Sequence, residues 1–260
     1  MAGSGHGKGR GGERGGGRAA AVARARKGVA RVLSKRGIGS RSAAEDWVRA
    51  GRVAVNGKVV TDPEHPVDVE RDRVTLDGQE ASPQARVYLA LNKGRGLLTT
   101  TADERGRNTV YSCFEGASLP WISPVGRLDK ASEGLLLFSN DSEWAARLTD
   151  PASHIDKTYH VQINRVPDPA LLTALEAGAI VDGEALRAKK ISVLRSGEKN
   201  AWLEVVLDEG RNRQIRRLLD AFELSVLRLV RVAIGPLALG DLAKCKWRPL
   251  TEDEVKALSR

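Results

Sequence analysis

Residues that hold metals or form disulfides are scarce in this chain, which has two cysteines and four histidines among 260 residues. Cys113 and Cys245 lie far apart in sequence, and neither has a Cys or His neighbour at metal-ligand spacing. Two unlinked thiols are typical of a reducing compartment, so the sequence predicts a cytoplasmic protein with free cysteines. No metal site is expected.

Long hydrophobic runs are also missing. No apolar stretch approaches the length of about 20 residues that a membrane helix needs, and the N-terminus has no signal-peptide core. Neither membrane association nor secretion is therefore predicted. The composition, with 41% hydrophobic and 29% charged residues, is that of a globular protein long enough for one medium or two small domains.

Acidic residues are rare at the N-terminal end. Residues 1–60 contain 3 Asp and Glu against 14 Lys and Arg, whereas the rest of the chain contains 30 against 28. The net charge of +9 therefore arises entirely from the first quarter of the sequence. A localised positive charge without an amphipathic membrane-binding segment favours nucleic acid as the partner.

The first 27 residues are rich in glycine and contain scattered arginines. They have too little apolar surface to offset the entropy of ordering, so a disordered tail is predicted over residues 1–27. An RNA tether of the Arg-Gly type and a solubilising extension both fit this composition. The low serine content argues against an organelle transit peptide.

A small module is predicted over residues 28–78. Its first helix covers Val29–Lys35, and Ser40 or Ser42 caps a second helix, since Ser42 and Glu45 have the spacing of a capping box. Helical spacing of small and aromatic residues predicts the buried face of this second helix, formed by Ala43, Trp47 and Ala50.

A hairpin follows these two helices. The pair Asn56-Gly57 between two apolar stretches is the strongest signal for a two-residue turn and predicts strands on both sides within residues 53–60. A further strand is expected near residues 73–76. The polar stretch over 79–85 is typical of a linker, and residues 86–260 form the second predicted domain, which begins with a strand at 87–91 and a loop at 92–96.

The most informative segment of the second domain places one carboxylate beside a buried strand. Asp129 lies between the turn-forming Gly126 and four consecutive large apolar residues, Leu135–Phe138. Such a run predicts a buried strand, and an Asp at its mouth is held rigidly and partly desolvated, which suits a nucleophile. An Asp that only caps a local turn is the alternative.

Two later segments carry further candidates. Tyr159, Val161 and Ile163 alternate with polar residues, as on a strand, and Tyr159 offers a ring for stacking and a phenol for hydrogen bonding. Ile215 starts a helical apolar stripe. Arg216 lies at the edge of that stripe, where it can reach a partly buried carboxylate and pair with it in a bidentate manner.

Three segments of the second domain resemble, in the same order, the motifs of the ribosomal RNA pseudouridine synthases of the RsuA/RluB type. These are the segment from Gly126 to Asp141, the triplet Lys157-Thr158-Tyr159, and the run from Glu209 to Arg217. The N-terminal module, with two helices followed by Gly-Arg-Val-Ala-Val-Asn-Gly at 51–57, resembles the S4-like RNA-binding domain. Gly94 departs from the family pattern, in which Pro usually follows Asn-Lys.

The resemblance implies an α+β protein in which a small S4-like domain precedes a catalytic domain with a mixed, largely antiparallel sheet flanked by helices. It implies that Asp129 is the catalytic carboxylate, that Arg216 orients it and that Tyr159 stacks on the target uracil. Arg127 enters the space vacated by the flipped nucleotide, and Ile215 is either a floor under the base or a core residue. No cofactor is needed.

The implied partner is ribosomal RNA or a pre-ribosomal particle, bound by a monomer. Shape and backbone recognition of structured RNA is expected from the basic residues of both domains, namely Arg31, Lys35, Arg36, Arg41, Arg49, Arg52, Lys58, Arg211, Arg213 and Arg217. Two alternatives remain: a non-catalytic RNA-binding or ribosome-assembly protein on the same scaffold, and a pseudouridine synthase that acts on transfer RNA.

Overall fold

The structure is a computed structural model that describes residues 26–100 and 108–259. A disordered tail was predicted over residues 1–27. Residues 1–25 lie outside the described part of the chain, whereas Lys27 belongs to the first strand. No helix in the described part of the chain is long and apolar enough to cross a membrane.

The N-terminal module contains two helices and two small sheets. Its elements are β1 (Lys27–Gly28), α1 (Val29–Lys35), α2 (Arg41–Arg49), β2 (Val53–Val55), β3 (Lys58–Val60), β4 (Pro66–Val67), β5 (Val74–Leu76) and β6 (Gln79–Glu80). Strand β1 pairs with β4, and the four-stranded sheet has the order β3-β2-β5-β6. The first helix and the strands at 53–60 and 74–76 confirm the predictions.

The turn between β2 and β3 follows from its two residues. Asn56 and Gly57 have φ angles of 52° and 79°, and two consecutive positive φ values define the hairpin turn that Asn-Gly favours. The hairpin buries Val53, Val55 and Val60 against the apolar side of α1. The module therefore has a core of its own, built from both helices and the sheet.

The predicted buried face of α2 is wrong by one position. Ser40 caps the helix, because its hydroxyl accepts a hydrogen bond from the backbone N–H of Ala43 at 3.0 Å. Ala44 and Val48 are fully buried, whereas Ala50 is exposed and Trp47 is only partly covered. The capping box expected from Ser42 is not the cap that forms.

The segment predicted as a linker starts with structure. Gln79 and Glu80 form β6, which pairs with β5, and Ala81 is buried in the core of the module. The first domain therefore extends beyond position 78, and residues 82–85 connect it to the second domain.

The second domain alternates strands and helices. Its elements are β7 (Tyr88–Lys93), a 3-10 helix (Val110–Phe114), β8 (Ser123–Val125), β9 (Glu133–Ser139), α3 (Ser142–Thr149), a second 3-10 helix (Pro151–Ser153), β10 (Lys157–Ile163), α4 (Pro169–Ala177), β11 (Ala179–Val181), β12 (Glu184–Leu186), β13 (Lys190–Ser196), β14 (Ala201–Leu207), α5 (Gln214–Asp220), β15 (Val226–Ile234), β16 (Leu237–Ala238), β17 (Trp247–Pro249) and α6 (Glu252–Leu258).

Nine strands of the described residues form one sheet, with the central order β13-β14-β10-β15-β9-β7-β17. Strands β9 and β15 are parallel, and the other pairings found in the described part of this sheet are antiparallel. The expected α+β fold with a mixed, largely antiparallel sheet is therefore confirmed. Strand β7 continues through Asn92 and Lys93, which were expected in a loop and are instead buried.

The parallel contact between β9 and β15 requires a glycine. Gly134 has a φ of 101°, and a Cβ atom there would lie 2.2 Å from the carbonyl oxygen of Arg231. Only glycine tolerates both the conformation and this approach. The contact brings the start of β9, and the loop before it that carries Asp129, against β15.

Candidate active site

A single cleft in the second domain collects the residues that the sequence singled out. The cavity has a volume of about 740 Å³ and lies between the loop before β9, the strands β10 and β15, and the start of α5. Its lining includes all five residues expected at the reaction centre, which are Arg127, Asp129, Tyr159, Ile215 and Arg216. Residues 85 positions apart in sequence, such as Ala131 and Arg216, are in contact here.

The Asp129 loop is anchored by a buried ammonium group. Lys93 is fully buried, and its Nζ donates to the carbonyl oxygens of Ser132 at 2.7 Å, Asp129 at 3.0 Å and Gly94 at 3.2 Å. Burial lowers the pKa of Lys93 to about 8, although Asp129 and Glu133 oppose this shift. Sequence reasoning assigned no role to Lys93, because lysines are normally exposed at the surface.

The carboxylate of Asp129 is exposed to the cleft, whereas the sequence predicted a partly desolvated group. No side chain among the described residues donates a hydrogen bond to it. The cavity lining includes one other carboxylate in the described part of the chain, Glu209, and this group accepts hydrogen bonds from Gln214 at 2.5 Å and Arg211 at 2.9 Å. Asp129 is therefore the carboxylate that is left accessible.

Arg216 lies beside this loop but does not form the expected bidentate pair. Its Nη2 donates to the carbonyl oxygen of Ala131 at 3.3 Å, and no ion pair to Asp129 within 4 Å is found among the described residues. Burial lowers the pKa of Arg216, as does the nearby Arg213, while Asp129 acts in the opposite direction. Arg216 therefore contacts the backbone of the loop that follows Asp129 and lies near its carboxylate without a direct ion pair among the described residues.

Tyr159 and Ile215 form the apolar side of the cleft. Tyr159 is half-buried on β10 and packs against two hydrophobic clusters, one that contains Ile215 and one that contains Leu128. Ile215 is 4% exposed, packs with Leu218 and Leu219 of α5, and also lines the cavity. Ile215 is therefore a core residue that also lines the cavity.

Two basic residues of the cleft were not identified from the sequence. Lys157, the first residue of β10, is half-buried, and Arg231 on β15 is only 7% exposed. Lys157 stands in the motif that contains Tyr159, which was a signal that could have pointed to it. Arg231 had no such signal, because strand alternation does not reveal which buried side faces a cavity.

The basic residues of the N-terminal module that were expected to bind RNA differ in exposure and in ion pairing. Arg31 and Lys58 are exposed and have no ion pair among the described residues. Four others form ion pairs with carboxylates at the surface: Lys35 with Glu143, Arg41 with Glu45 and Glu64, Arg49 with Glu45 and Asp46, and Arg52 with Asp77.

Arg36 does not fit the expectation of a phosphate contact. Its side chain is half-buried and donates to the carbonyl oxygen of Ala81 at 2.9 Å, and burial lowers its pKa. It therefore joins the end of α1 to the last buried residue of the module. Arg36 therefore has a structural role, and the structure does not support the expected phosphate contact.

The three arginines around α5 also separate. Arg211 and Arg213 line the cleft, and Arg213 is exposed at the start of the helix with a φ of 49°. Arg217 points away from the cavity and pairs with Glu184 at 2.6 Å and Asp182 at 3.4 Å. The geometry therefore supports a role in the cleft for the first two but not for Arg217.

Comparison with known proteins identifies the family. The model of the RNA pseudouridylate synthase family matches residues 87–221, and the S4 domain model matches residues 28–74. An uncharacterized RNA pseudouridine synthase of Aquifex aeolicus is 37% identical over 228 residues, which cover 87% of this chain and 91% of that protein. The ribosomal large subunit pseudouridine synthase B of Bacillus subtilis is 36% identical over 231 residues, covering 88% and 93%.

A solved structure agrees with these matches. The crystal structure of a pseudouridylate synthase superposes with a TM-score of 0.62 at 26% identity, and the match covers 90% of this chain and 99% of the other. The chain therefore belongs to the RNA pseudouridine synthases, isomerases that act on RNA, and it carries an S4 domain before its catalytic domain.

Proposed function

We propose that this protein converts one uridine, or very few, of ribosomal RNA to pseudouridine, with Asp129 as the catalytic carboxylate. The observation that carries the assignment of Asp129 is its position. It is the cleft carboxylate without a hydrogen-bonded partner among the described residues, beside Tyr159 and Arg216. A nucleophile or electrostatic stabiliser must stay free to meet its substrate, whereas Glu209 is already bound by Gln214 and Arg211.

The chemistry is a rearrangement within one nucleotide. The bond between N1 of uracil and C1′ of ribose breaks, the base rotates, and a bond forms between C5 and C1′. The hydrogen on C5 leaves as a proton and N1 gains a proton, so that the composition does not change. Asp129 attacks C1′, attacks C6 of the ring, or stabilises an elimination that forms a glycal, and all three routes need one ionised carboxylate near the sugar.

The other cleft residues receive roles from their surroundings. A base inside a helix is out of reach, so the uridine must leave the stack to enter the cleft. Tyr159 provides a half-buried ring for the base, Ile215 lies beneath it, and Arg127 at the exposed rim fills the vacated place in the RNA. Arg216 holds the loop that carries Asp129 through its hydrogen bond to the carbonyl oxygen of Ala131, and it places a positive charge near the carboxylate.

Ribosomal RNA is the proposed substrate for two reasons. The Bacillus subtilis relative is named for the large ribosomal subunit, and the S4 domain adds a basic module suited to structured RNA. We further propose that the protein acts as a monomer in the cytoplasm, where ribosomal RNA is made in bacteria.

The experiment that tests the proposal maps pseudouridines in ribosomal and transfer RNA from cells with and without this protein. We expect at least one ribosomal uridine to lose its modification and to regain it with the wild-type protein. The Asp129→Asn variant should not restore it, because the side chain keeps its size but loses its charge. Asp241→Asn, at an exposed position outside the cleft, is the matched control and should restore it.

Purified protein separates the alternatives. Asp129→Asn should bind an rRNA fragment with nearly wild-type affinity and form no product above the blank. Product formation by this variant would refute the role of Asp129. Loss of a pseudouridine in transfer RNA instead of ribosomal RNA would favour the tRNA enzyme, and binding without product by the wild-type protein would favour the non-catalytic alternative.

A further inference from the structure

The cleft contains two cationic side chains that the roles above do not use. Lys157 on β10 and Arg231 on β15 both line the cavity. The two strands are antiparallel neighbours in which Tyr159 lies opposite Arg231 and Lys157 lies opposite Ile234. Positions 157 and 159 are on the same face of the strand, so both cations lie beside the ring of Tyr159.

Arg231 has a buried donor without a hydrogen-bond partner in the described part of the chain. The residue is 7% exposed, and its Nε donates to the carbonyl oxygen of Leu135 at 2.7 Å. This bond fixes the plane of the guanidinium group. The Nη2 atom is fully buried and has no hydrogen-bond partner among the described residues. Buried donors are nearly always paired in folded proteins, so an unpaired one requires an explanation. Arg231 also lines the cavity, and this position points to a ligand in the cleft.

Lys157 adds a second unsatisfied cation to the same place. It is half-buried and has no ion pair or side-chain hydrogen bond within the described ranges. Burial lowers its pKa, and the positive charge of Arg231 lowers it further. Asp156 and Asp208 act in the opposite direction, but Asp156 is bound by Lys189 at 2.8 Å.

Two neighbouring cations in a partly buried cleft repel each other and lose hydration, which costs free energy unless an anion lies between them. A guanidinium group and an ammonium group together suit a phosphate, since the first offers a fixed pair of donors and the second a point charge. The RNA backbone carries one phosphate for each nucleotide, so a nucleotide in the cleft brings such an anion with it.

We propose that Lys157 and Arg231 form a phosphate-binding subsite that holds one backbone phosphate of the substrate RNA next to the target nucleotide. This inference rests on the proposed function, because it assumes that an RNA strand enters the cleft. The subsite positions the ribose of the flipped nucleotide relative to Asp129, which lines the same cleft. Lys157 and Arg231 are thus positioning residues rather than groups that perform the chemistry.

The test uses the RNA fragment that contains the mapped uridine. Binding is measured across a salt series for the wild-type protein, for Lys157→Met and for Lys190→Met. Lys190 is the matched control, because it is an exposed lysine paired with Glu204 and lies outside the cleft. We expect Lys157→Met to weaken binding roughly tenfold and to reduce the slope of log affinity against log salt by about 0.7, the value for one phosphate of a single strand. Lys190→Met should change neither.

A second set of RNAs locates the phosphate. In each RNA one linkage near the target uridine is replaced by an uncharged methylphosphonate. One such linkage should weaken binding to the wild-type protein as much as Lys157→Met does. It should cause no further loss with Lys157→Met, because both changes remove the same contact. Lys157→Arg should retain the sensitivity to that linkage, and this pattern is not expected of a merely structural lysine.

The binding measurement does not depend on turnover, so the two proposals can fail separately. Equal affinities and slopes for wild type and Lys157→Met, with pseudouridine still formed by the wild-type protein, would overturn the phosphate subsite alone. Fully additive effects of Lys157→Met and every neutral linkage would also overturn it. Absence of product from any ribosomal fragment would overturn the proposed function instead, while the salt slopes would still report on the subsite.

Discussion

The cations of the N-terminal module and those of the cleft are arranged in opposite ways. In the module Arg41, Arg49 and Arg52 lie at the surface and are paired with carboxylates of the same module. Arg231, which lines the cleft, and Lys93, which anchors the Asp129 loop, are buried, and their hydrogen-bond partners are backbone carbonyl groups. Surface pairs contribute little and are easily exchanged for other anions, whereas buried cations are fixed in direction before a ligand arrives.

The difference indicates two kinds of RNA contact. Within the described residues 26–78 there are 11 basic and 8 acidic residues, because the segment after the hairpin is acidic. The module itself is therefore only moderately positive, and part of the excess lies in the tail before residue 26. Such a surface suits adjustable contacts with a folded RNA. The cleft instead offers few donors in fixed positions, as a reaction centre requires.

The largest expected effect tests whether a partly buried arginine of the cleft matters more for the reaction than an ion-paired arginine outside it. Arg216 and Arg217 are neighbours on α5, but Arg216 is half-buried beside Asp129 and Arg217 is paired with Glu184 outside the cavity. Arg216→Ala should lower the single-turnover rate about 10²–10³-fold, the cost of removing one preorganised electrostatic group. Arg217→Ala should leave the rate near that of wild type.

The measurement is pseudouridine formation at saturating RNA with both purified variants. Melting temperatures of both proteins serve as the control for folding. Equal losses of rate in the two variants would contradict the distinction between cleft and surface arginines on this helix.

The second effect concerns Lys93 and is a pH dependence of stability. Burial lowers its pKa to about 8, below the usual 10.5 of lysine, so between these pH values the unfolded chain binds more protons than the native protein. The free energy of unfolding that Lys93 contributes therefore rises with pH across this window. Relative to Lys93→Met, wild type should gain up to about 1.4 kcal/mol per pH unit.

Denaturant unfolding of wild type and Lys93→Met at pH 7, 8, 9 and 10 measures this difference. Other titrating groups cancel when the two proteins are compared at each pH. A difference that stays constant from pH 8 to 10 would show that burial does not lower the pKa of Lys93.

The sequence predicted most strands and helices because their signals are local. The Asn56-Gly57 turn, the apolar run Leu135–Phe138 and the cap of α2 at Ser40 all act within a few residues of the chain. The position of Asp129 at the mouth of β9 was predicted for the same reason. The family resemblance supplied the grouping of Asp129, Tyr159 and Arg216, which the cleft brings together.

The features that sequence reasoning missed depend on long-range packing. The buried face of α2 was misplaced because Ala43 and Ala44 are equally small, and only the rest of the core decides between them. Lys93 and Arg231 were missed because their burial results from strands that meet across the sheet. The expected pair of Arg216 with Asp129 failed because Arg216 reaches the carbonyl group of Ala131 instead.

The smallest expected effect sharpens the comparison within the N-terminal module. Arg31 on α1 is exposed and has no ion pair among the described residues, whereas Arg49 on α2 is held by Glu45 and Asp46. If free arginines make the first contacts with phosphates, Arg31→Gln should flatten the slope of log affinity against log salt by roughly 0.7–0.9, the value for one phosphate contact. Arg49→Gln should change the slope less, because its charge is already compensated by two carboxylates.

Filter binding of the same rRNA fragment between about 50 and 200 mM salt resolves slopes of this size, with equal melting temperatures as the control. An equal or larger change for Arg49→Gln would mean that the carboxylates release this arginine to the RNA, so that the paired residues of the module belong to the binding surface as fully as the free ones.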